Sequence, residues 1–535
     1  MNLPIAQIDA LFAAWDRPDT PGCALGIVHE GDLVYARGYG MADLEHDVRI
    51  TPATVFDIAS ISKQFTAWCV LALAAQGQLS LDDPIQRFCP DVPEYGQPIT
   101  LHHLLHHTSG LRDYLGIWPV AGLPDANVFR REDVYATIAR QRDLNFAPGS
   151  NYIYSNTGYW LLGEVVQPVS GQTLREFAHE QVFAPLGMAS THFHDDFTEI
   201  EPNRALGHAL RGDGSLRLDL SFCDLVGDGG IYTTVEDLAR WDAVFYASPL
   251  AGGDALIAQM HVPGRLVDGS AISYARGLVI GAYRGARTVS HGGSWAGYRS
   301  SLLRFPDERF TVICLANLAS MEPWKLAHQV ADLCLGSRLG PATNIPGGAP
   351  VAVGDAAFAG VYRNTAWDEP LTLTWQAEEL HLAAPWYGFD GVLAAAGEGA
   401  YAIAGETDLR VEIEPGSADD APAAVIHIQG EPPRRFARIA TGPAEAVPTE
   451  EYVGTYASVE ANTVYHVRVA NGHLWVQRPG APDSPLMLLD ADLFSLDDWG
   501  LRFARNAAGM VDSFALTAEG AFRLNFMRVA GGGAA

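Results

Sequence analysis

Apolar residues along this chain change their spacing several times, and the changes mark its elements. Residues 5–16 carry them at helical spacing. The runs at 23–29 and 33–39 are strand-like and are joined by Glu30-Gly31-Asp32, a hairpin signal. Phe65, Ala67, Trp68, Val70, Leu71 and Leu73 predict a helix that enters a core and ends near Gln76-Gly77-Gln78, where the glycine can take a left-handed cap. Further helices are predicted over 99–105, closed by Thr108-Ser109-Gly110, and over 159–166, behind the turn Pro148-Gly149-Ser150. Another follows Thr234, with Thr234 as N-cap, Asp237 three residues on and Trp241 turned inward. Strand signals return before His291 and over 301–305 and 311–316, and a last helix covers 324–335. Helix, strands, helical middle, strands, helix: this order predicts one α/β domain with an antiparallel sheet and a helical cluster.

The pattern changes after Gly336. Residues 337–354 are rich in Gly, Pro and Ala and lack periodicity, as in a linker. A repeat follows. Phe358-Ala-Gly-Val-Tyr362 matches Tyr452-Val-Gly-Thr-Tyr456, and Phe436-Ala-Arg438-Ile matches Phe526-Met-Arg528-Val. Short alternating strands lie between these marks, such as 371–375, 411–413, 464–469 and 514–517. Two such units predict two small closed antiparallel β-barrels. The expected division is 1–337, a linker at 338–354, a barrel at 355–440, a linker at 441–448 and a barrel at 449–531, with Gly531-Gly-Gly-Ala-Ala as a frayed end.

Composition narrows the function. Hydrophobic residues make up 48% of the 535 positions, enough for large cores, yet no run reaches the roughly 18 apolar residues of a membrane span. A formal net charge of −28 argues against nucleic acid or an anionic membrane as partner and mildly favours cationic small substrates. The start lacks a basic n-region and an apolar h-region, so a cytoplasmic protein is expected. The six cysteines are scattered, which suits structural thiols better than disulfides or a metal cage. The pattern His102-His103-Leu-Leu-His106-His107 offers histidines at i, i+4 but no third ligand, so capping and packing are expected of it; neither a metal nor a cofactor is.

Ser60 and Lys63 stand out. Residues three apart share one helix face. A serine at the head of a helix lies near free backbone N–H groups and the positive end of the dipole, and a desolvated lysine one turn away can take its proton. The chain has only two lysines, Lys63 and Lys325, all other basic side chains besides histidine being arginine, which cannot act as a base because its pKa lies above about 12. Two further stretches carry chemistry: Tyr154-Ser-Asn156, leading into a helix, and His291-Gly-Gly293-Ser294, where glycines let a ligand backbone approach a strand.

In this order and spacing, Ser60-x-x-Lys63, Tyr154-Ser-Asn156 and His291-Gly-Gly293 resemble the three motifs of the penicillin-recognising serine hydrolases, which comprise class C β-lactamases, D,D-peptidases and related esterases. The resemblance spans the first domain, including Leu104–Leu111, Phe183-Ala-Pro-Leu-Gly-Met188 and Gly229-Gly-Ile-Tyr-Thr-Thr-Val-Glu-Asp-Leu238. Ser62-Lys-Gln-Phe-Thr66, Ser109-Gly-Leu-Arg-Asp-Tyr114, the histidine of the third motif and two C-terminal barrels are closest to the bacterial D-aminopeptidases. The resemblance implies a class C β-lactamase-like domain and an acyl-enzyme on Ser60, with Lys63 or Tyr154 as base. It further implies that Asn156 binds Lys63 and the substrate amide, that the backbone N–H groups of Ser60 and Ser294 form an oxyanion hole, and that Gly293 and His291 line the cleft. His291 and Gly292 stand where carboxylate-binding relatives have lysine and threonine, which favours an aminopeptidase or amidase. The alternatives are a carboxylesterase, a D,D-peptidase or β-lactamase-like hydrolase, and an inactive binding or sensor homologue. The expected partner is a small peptide or amino-acid amide, and a homodimer is compatible with the resemblance. A loop of the last barrel, residues 478–485, is expected to reach the site and bring Asp483 to the substrate's ammonium.

Overall fold

The computed structural model describes residues 2–123, 128–340, 353–384, 389–397, 399–403, 409–414, 416, 422–428, 431–439 and 449–529. Most of the first expected linker, all of the second, and the C-terminal tail lie outside them.

The first domain is built on an antiparallel six-stranded sheet in the order Val279–Tyr283, Ala286–Trp295, Tyr298–Phe305, Phe310–Ala316, Cys23–His29, Asp32–Tyr39. The first and last parts of this domain therefore meet at its centre, with Leu25 opposite Cys314. Its central strands are apolar throughout because both faces are covered. Cys23, Leu25 and Ile27 pack with Val312 and Cys314 under the helices Ile5–Phe12 and Pro323–Leu335. Ala24 and Val28, with Ile313 and Leu315, face the helical cluster. The Glu30-Gly31 turn takes the two positive φ values, 57° and 90°, that a tight hairpin requires.

The helix Lys63–Ala75 runs through the middle of that cluster and is buried from Lys63 to Leu73. A helix that is apolar on every side needs neighbours on every side; Asn156–Ser170 and Val235–Ala243 are two of them. Thr234 caps the latter by accepting from the Asp237 N–H at 3.1 Å, and Trp241 is buried, as the sequence predicts. The histidine run is structural. Thr100 and His103 cap the helix Leu101–Leu105 reciprocally, and His106 bonds the His102 carbonyl at 3.0 Å. All six cysteines are unpaired.

The two C-terminal units differ in closure. Gly360–Asn364 through Arg434–Arg438 form a closed eight-stranded barrel, while the last unit is a nine-stranded sheet left open between Ser484–Pro485 and Met487–Asp490. The repeated marks have one physical role. Tyr362 pairs with Arg438, and Tyr456 with Arg528, joining the first strand of each unit to its last. Tyr362 donates to the Phe358 carbonyl and Tyr456 to the Tyr452 carbonyl. A Cβ on Gly360 or Gly454 would lie 2.7 Å from the Nε of that arginine. The glycine admits the guanidinium, and the guanidinium bonds the Ala359 or Val453 carbonyl.

The last unit docks on the first domain. Ile117 and Val120 of the helix Tyr114–Ala121 belong to its core, and Tyr465 donates to the Val120 carbonyl at 2.8 Å. Arg112 is buried at the joint. It donates to the Phe522 and Arg523 carbonyls at 2.9 and 3.0 Å and pairs with Glu460. Its side chain is 1% exposed and that of Glu460 5%. Removing one partner of such a pair leaves a buried charge without compensation, at about 3–5 kcal/mol. Arg112→Ala should therefore strip hydrogen-exchange protection from the Phe522 amide, whereas Arg17→Ala, which breaks an exposed pair, should cost less than about 1 kcal/mol and leave that amide protected.

Candidate active site

Ser60 lies in a short 3-10 turn, Ala59–Ser62, that feeds the buried Lys63–Ala75 helix. Ala59 takes φ +47°, a left-handed conformation held by its N–H donating to Asp57 Oδ1 at 2.7 Å; such strain costs about 1–3 kcal/mol and persists only where the surroundings impose it. Here they do. The Ile58 N–H donates to the Ile231 carbonyl at 3.0 Å, the Ile231 N–H to Ser62 Oγ at 3.0 Å, and Ser300 Oγ to the Ile58 carbonyl at 2.8 Å.

Lys63 is fully buried. Its three ammonium protons meet three acceptors: Ser60 Oγ at 3.1 Å, Asn156 Oδ1 at 2.9 Å and the Asp228 carbonyl at 2.6 Å. Burial lowers its pKa to about 8, against the opposing pull of Asp228 and Asp113. Asn156 is fixed in turn, because its Nδ2 and backbone N–H both donate to Asp113 Oδ2. Asp113 also caps its own helix through the Leu115 N–H at 2.8 Å. Burial raises Asp113 to about 6 and Asp57 to about 7. It raises Asp228 as well, opposed by Lys63, and the Asp228 carboxylate accepts from the Tyr114 hydroxyl.

Tyr154 stands over the pair, its ring centroid 4.8 Å from Lys63 Nζ. Its buried hydroxyl makes no aligned hydrogen bond among the described residues. Burial holds its pKa well above the ordinary phenol value, and the nearby Ser60 hydroxyl only partly offsets this. Beneath it lies His107, a residue the sequence offered only as packing: its ring centroid is 4.2 Å from that of Tyr154, and its Nδ1 accepts from the Ser155 N–H at 3.0 Å.

His291 lines the cavity with both ring nitrogens engaged: Nδ1–H donates to the Gly292 carbonyl at 2.6 Å, and Nε2 accepts from the Tyr274 hydroxyl at 3.0 Å. Burial and the Lys63 charge lower its pKa to about 4, so the ring is neutral. Gly293 has a steric reason. A Cβ there would lie 2.3 Å from the Ile58 carbonyl oxygen and 2.4 Å from Ser300 Oγ, so only glycine lets this strand close on the turn before Ser60. Ser60, Tyr154, Asn156, His291, Gly293 and Ser294 all border one cavity of about 670 Å³.

Asp483 does not border it. Its carboxylate pairs with Arg468, and the 478–485 segment meets the first domain elsewhere, with a Gly122 Cβ falling 2.3 Å from the Pro479 carbonyl oxygen. The last unit instead enters through the turn between Val511–Ala518 and Ala521–Arg528. Gly520 accepts from the Asp113 N–H at 2.8 Å, Asn145 bonds Gly520 and Phe522, and Glu519 lines the cavity. Glu519 is exposed where it meets the cavity, and partial loss of hydration there, aided by Asp113, raises its carboxyl pKa. A lone acid in a two-residue turn gives no sequence signal. Asp113 lay within a quoted motif and Asp228 immediately before another, but neither carried a sign of its role.

The arrangement can deprotonate a serine hydroxyl with a neutral amine and hold an acyl group beside it. The proton-bound form of Lys63 cannot accept, so Ser60 reactivity should rise with pH. The labelling rate by a fluorophosphonate should climb through pH about 8 and level off above it; a flat rate over about pH 6–9 would contradict this. The stability linkage has the same sign. Charged Lys63 is the costly form in the fold, so the cost is full below about pH 8 and vanishes as pH rises towards the unfolded value of 10.5.

A family model described as beta-lactamase matches residues 8–333, more than half of the chain. The D-aminopeptidase of Cereibacter sphaeroides is 30% identical over 346 residues, covering 62% of this chain and 64% of the relative, less than two thirds of its length. A solved penicillin-binding protein from Bacillus halodurans is 26% identical with a TM-score of 0.52, covering 62% of this chain and 98% of that one. A structure described as SurE with D-Leu is 26% identical with a TM-score of 0.51, covering 81% of this chain and 99% of that one.

Proposed function

The chain belongs to the beta-lactamase family of serine hydrolases, and from that premise we propose that it is an aminopeptidase or amidase that releases N-terminal D-amino acids from short peptides and amides through an acyl-enzyme on Ser60. Lys63 is the base for acylation, because its pKa near 8 leaves a useful neutral fraction at physiological pH. Tyr154, whose hydroxyl resists ionisation, relays the proton to the leaving amine and later orients water. The backbone N–H groups of Ser60 and Ser294 stabilise the oxyanion, each donor being worth roughly 3 kcal/mol of barrier.

The observation that carries the amine specificity is the carboxylate of Glu519 on the cavity wall, with Asp57, Asp228 and Glu322 also lining it. Glu519 takes the role expected of Asp483, receiving the substrate's free ammonium. The D-stereospecificity is supported by the relatives, a D-aminopeptidase and a protein solved with D-Leu. A second reading, carboxylate-terminated or penicillin-like substrates, is favoured by Arg299, a cation that also lines the cavity. It is weakened because Arg299 Nη1 is committed to the Ala296 and Tyr298 carbonyls at 2.8 and 2.6 Å.

A panel of D- and L-amino-acid p-nitroanilides, their N-acetylated forms, p-nitrophenyl esters and nitrocefin tests the reading. Free-amine D-anilides should be turned over best. Glu519→Gln should raise KM for them by about 10-fold or more, the loss of a charge-assisted hydrogen bond of about 1.5–3 kcal/mol, with little change on N-acetylated or ester substrates. Asp483→Ala should leave both unchanged. Nitrocefin turnover matching the best anilide, or equal KM effects on free and acetylated amines, would overturn it.

A further inference from the structure

A second cluster borders the same cavity and takes no part in the Ser60–Lys63 hydrogen bonds. The strand His192–Phe193 sends Phe193 into the core, and the histidines on either side of it, two residues apart, share the other face. Their rings converge on a carboxylate. His192 Nε2 is 3.3 Å from His194 Nδ1 and 3.3 Å from Glu201 Oε2. Side-chain exposure is 16% for His192, 3% for His194 and 9% for Glu201, so water does little to separate them. Glu199 Oε2 lies 3.9 Å from the same His194 nitrogen, its carboxylate held by Arg175 at 2.7 and 2.9 Å.

Hydrogen bonding leaves this cluster unsatisfied. A proton on His192 Nε2 can be directed at Glu201 or at His194, not at both. Whichever lacks it, a carboxylate or an imidazole lone pair, faces that nitrogen in a desolvated pocket. The other His194 nitrogen, Nε2, is buried and has no partner among the described residues. One ligand atom from each of the three side chains lies within 4.8 Å of the other two. A tetrahedral ion with bonds of about 2.0–2.1 Å to nitrogen or oxygen sets its ligand atoms about 3.3 Å apart, which is the spacing of His192 Nε2 from each of the other two.

We propose that His192, His194 and Glu201 form a binding site for a divalent cation of the zinc type, with Glu199 as the nearest carboxylate to a fourth position. Two imidazoles and a carboxylate suit a borderline ion better than calcium or magnesium, which prefer oxygen. The surrounding charge permits it: Glu199, Glu201 and Asp195 stand against Arg175 and Arg204. The ion has a consequence for the cavity. With Nδ1 on the metal, the His194 proton sits on Nε2. His194 is itself a cavity-lining residue, so the cation fixes the tautomer and orientation of a side chain in the wall of the substrate site while Ser60 and Lys63 carry the chemistry.

The test reads metal rather than turnover and so stands apart from the substrate assignment. Full-length protein, stripped with a chelator and dialysed, is titrated with Zn²⁺ in a calorimeter, and its melting temperature is followed with and without Zn²⁺. One equivalent should bind per chain and raise the melting temperature. The His192→Asn, Glu201→Gln double variant should bind at least about 10-fold more weakly and lose the shift. Glu201→Gln alone, which keeps the side-chain shape, should show the same loss if the double variant does not fold. Absence of saturable binding to the wild-type chain would overturn the site. So would undiminished binding to the variants, which would place the ion elsewhere, for instance on the exposed turn of Asp43, Glu45 and His46.

Discussion

The active site depends on keeping one ammonium group out of water with all three of its protons satisfied. Lys63 achieves this with a serine hydroxyl, an amide oxygen and a backbone carbonyl as acceptors. None of the three is an ionised carboxylate, so desolvation prevails and the pKa falls. Much of the nearby structure serves to hold those acceptors still. Thr66 and Ser62, on either side of Lys63, tie the 227–231 segment to the helix by bonds of 2.6 and 3.0 Å to Gly227 and Ile231. Asp113 holds Asn156.

That network crosses a domain boundary. Lys63 leads to Asn156, Asn156 to Asp113, and the Asp113 N–H to the Gly520 carbonyl of the last unit. Gly520 is required there by its φ of +67° and by a Cβ that would lie 2.8 Å from that of Asp113. The hairpin that places Glu519 in the cavity therefore also braces the residue that orients the lysine's partner, and Arg112 and Asn145 fix the hairpin from the first domain. The cavity wall at Glu519 and the position of Lys63 are mechanically linked through one turn.

Much of this was legible in the sequence, for local reasons. Ser60 and Lys63 share a helical turn, Tyr154 and Asn156 sit at a helix entrance, and His291 and Gly293 lie on one strand, so short spacing carries the information. The barrel repeat was legible because each unit needs the same tyrosine, glycine and arginine to join its ends. What escaped was long-range. Asp113 and Asp228 act through tertiary contacts, and Asp483 lost its expected place because Arg468 holds it near the barrel's open seam. The segment that does reach the cavity is a two-residue turn, whose sequence looks like any other hairpin. His192, His194 and Glu201 escaped too, since their convergence depends on how the chain folds back between 194 and 201.

The chain's two lysines make the central claim directly measurable. With lysine labelled by ¹⁵N at Nζ, the protein should give two side-chain resonances, of which Lys325, paired with Glu322 at the surface, is assigned by substitution. The Lys63 resonance should titrate with a midpoint of about 8, and Asn156→Ala, which removes one acceptor for the charged form, should lower it further. A Lys63 midpoint near the ordinary lysine value of about 10.4 would contradict the account of Lys63 as the desolvated base.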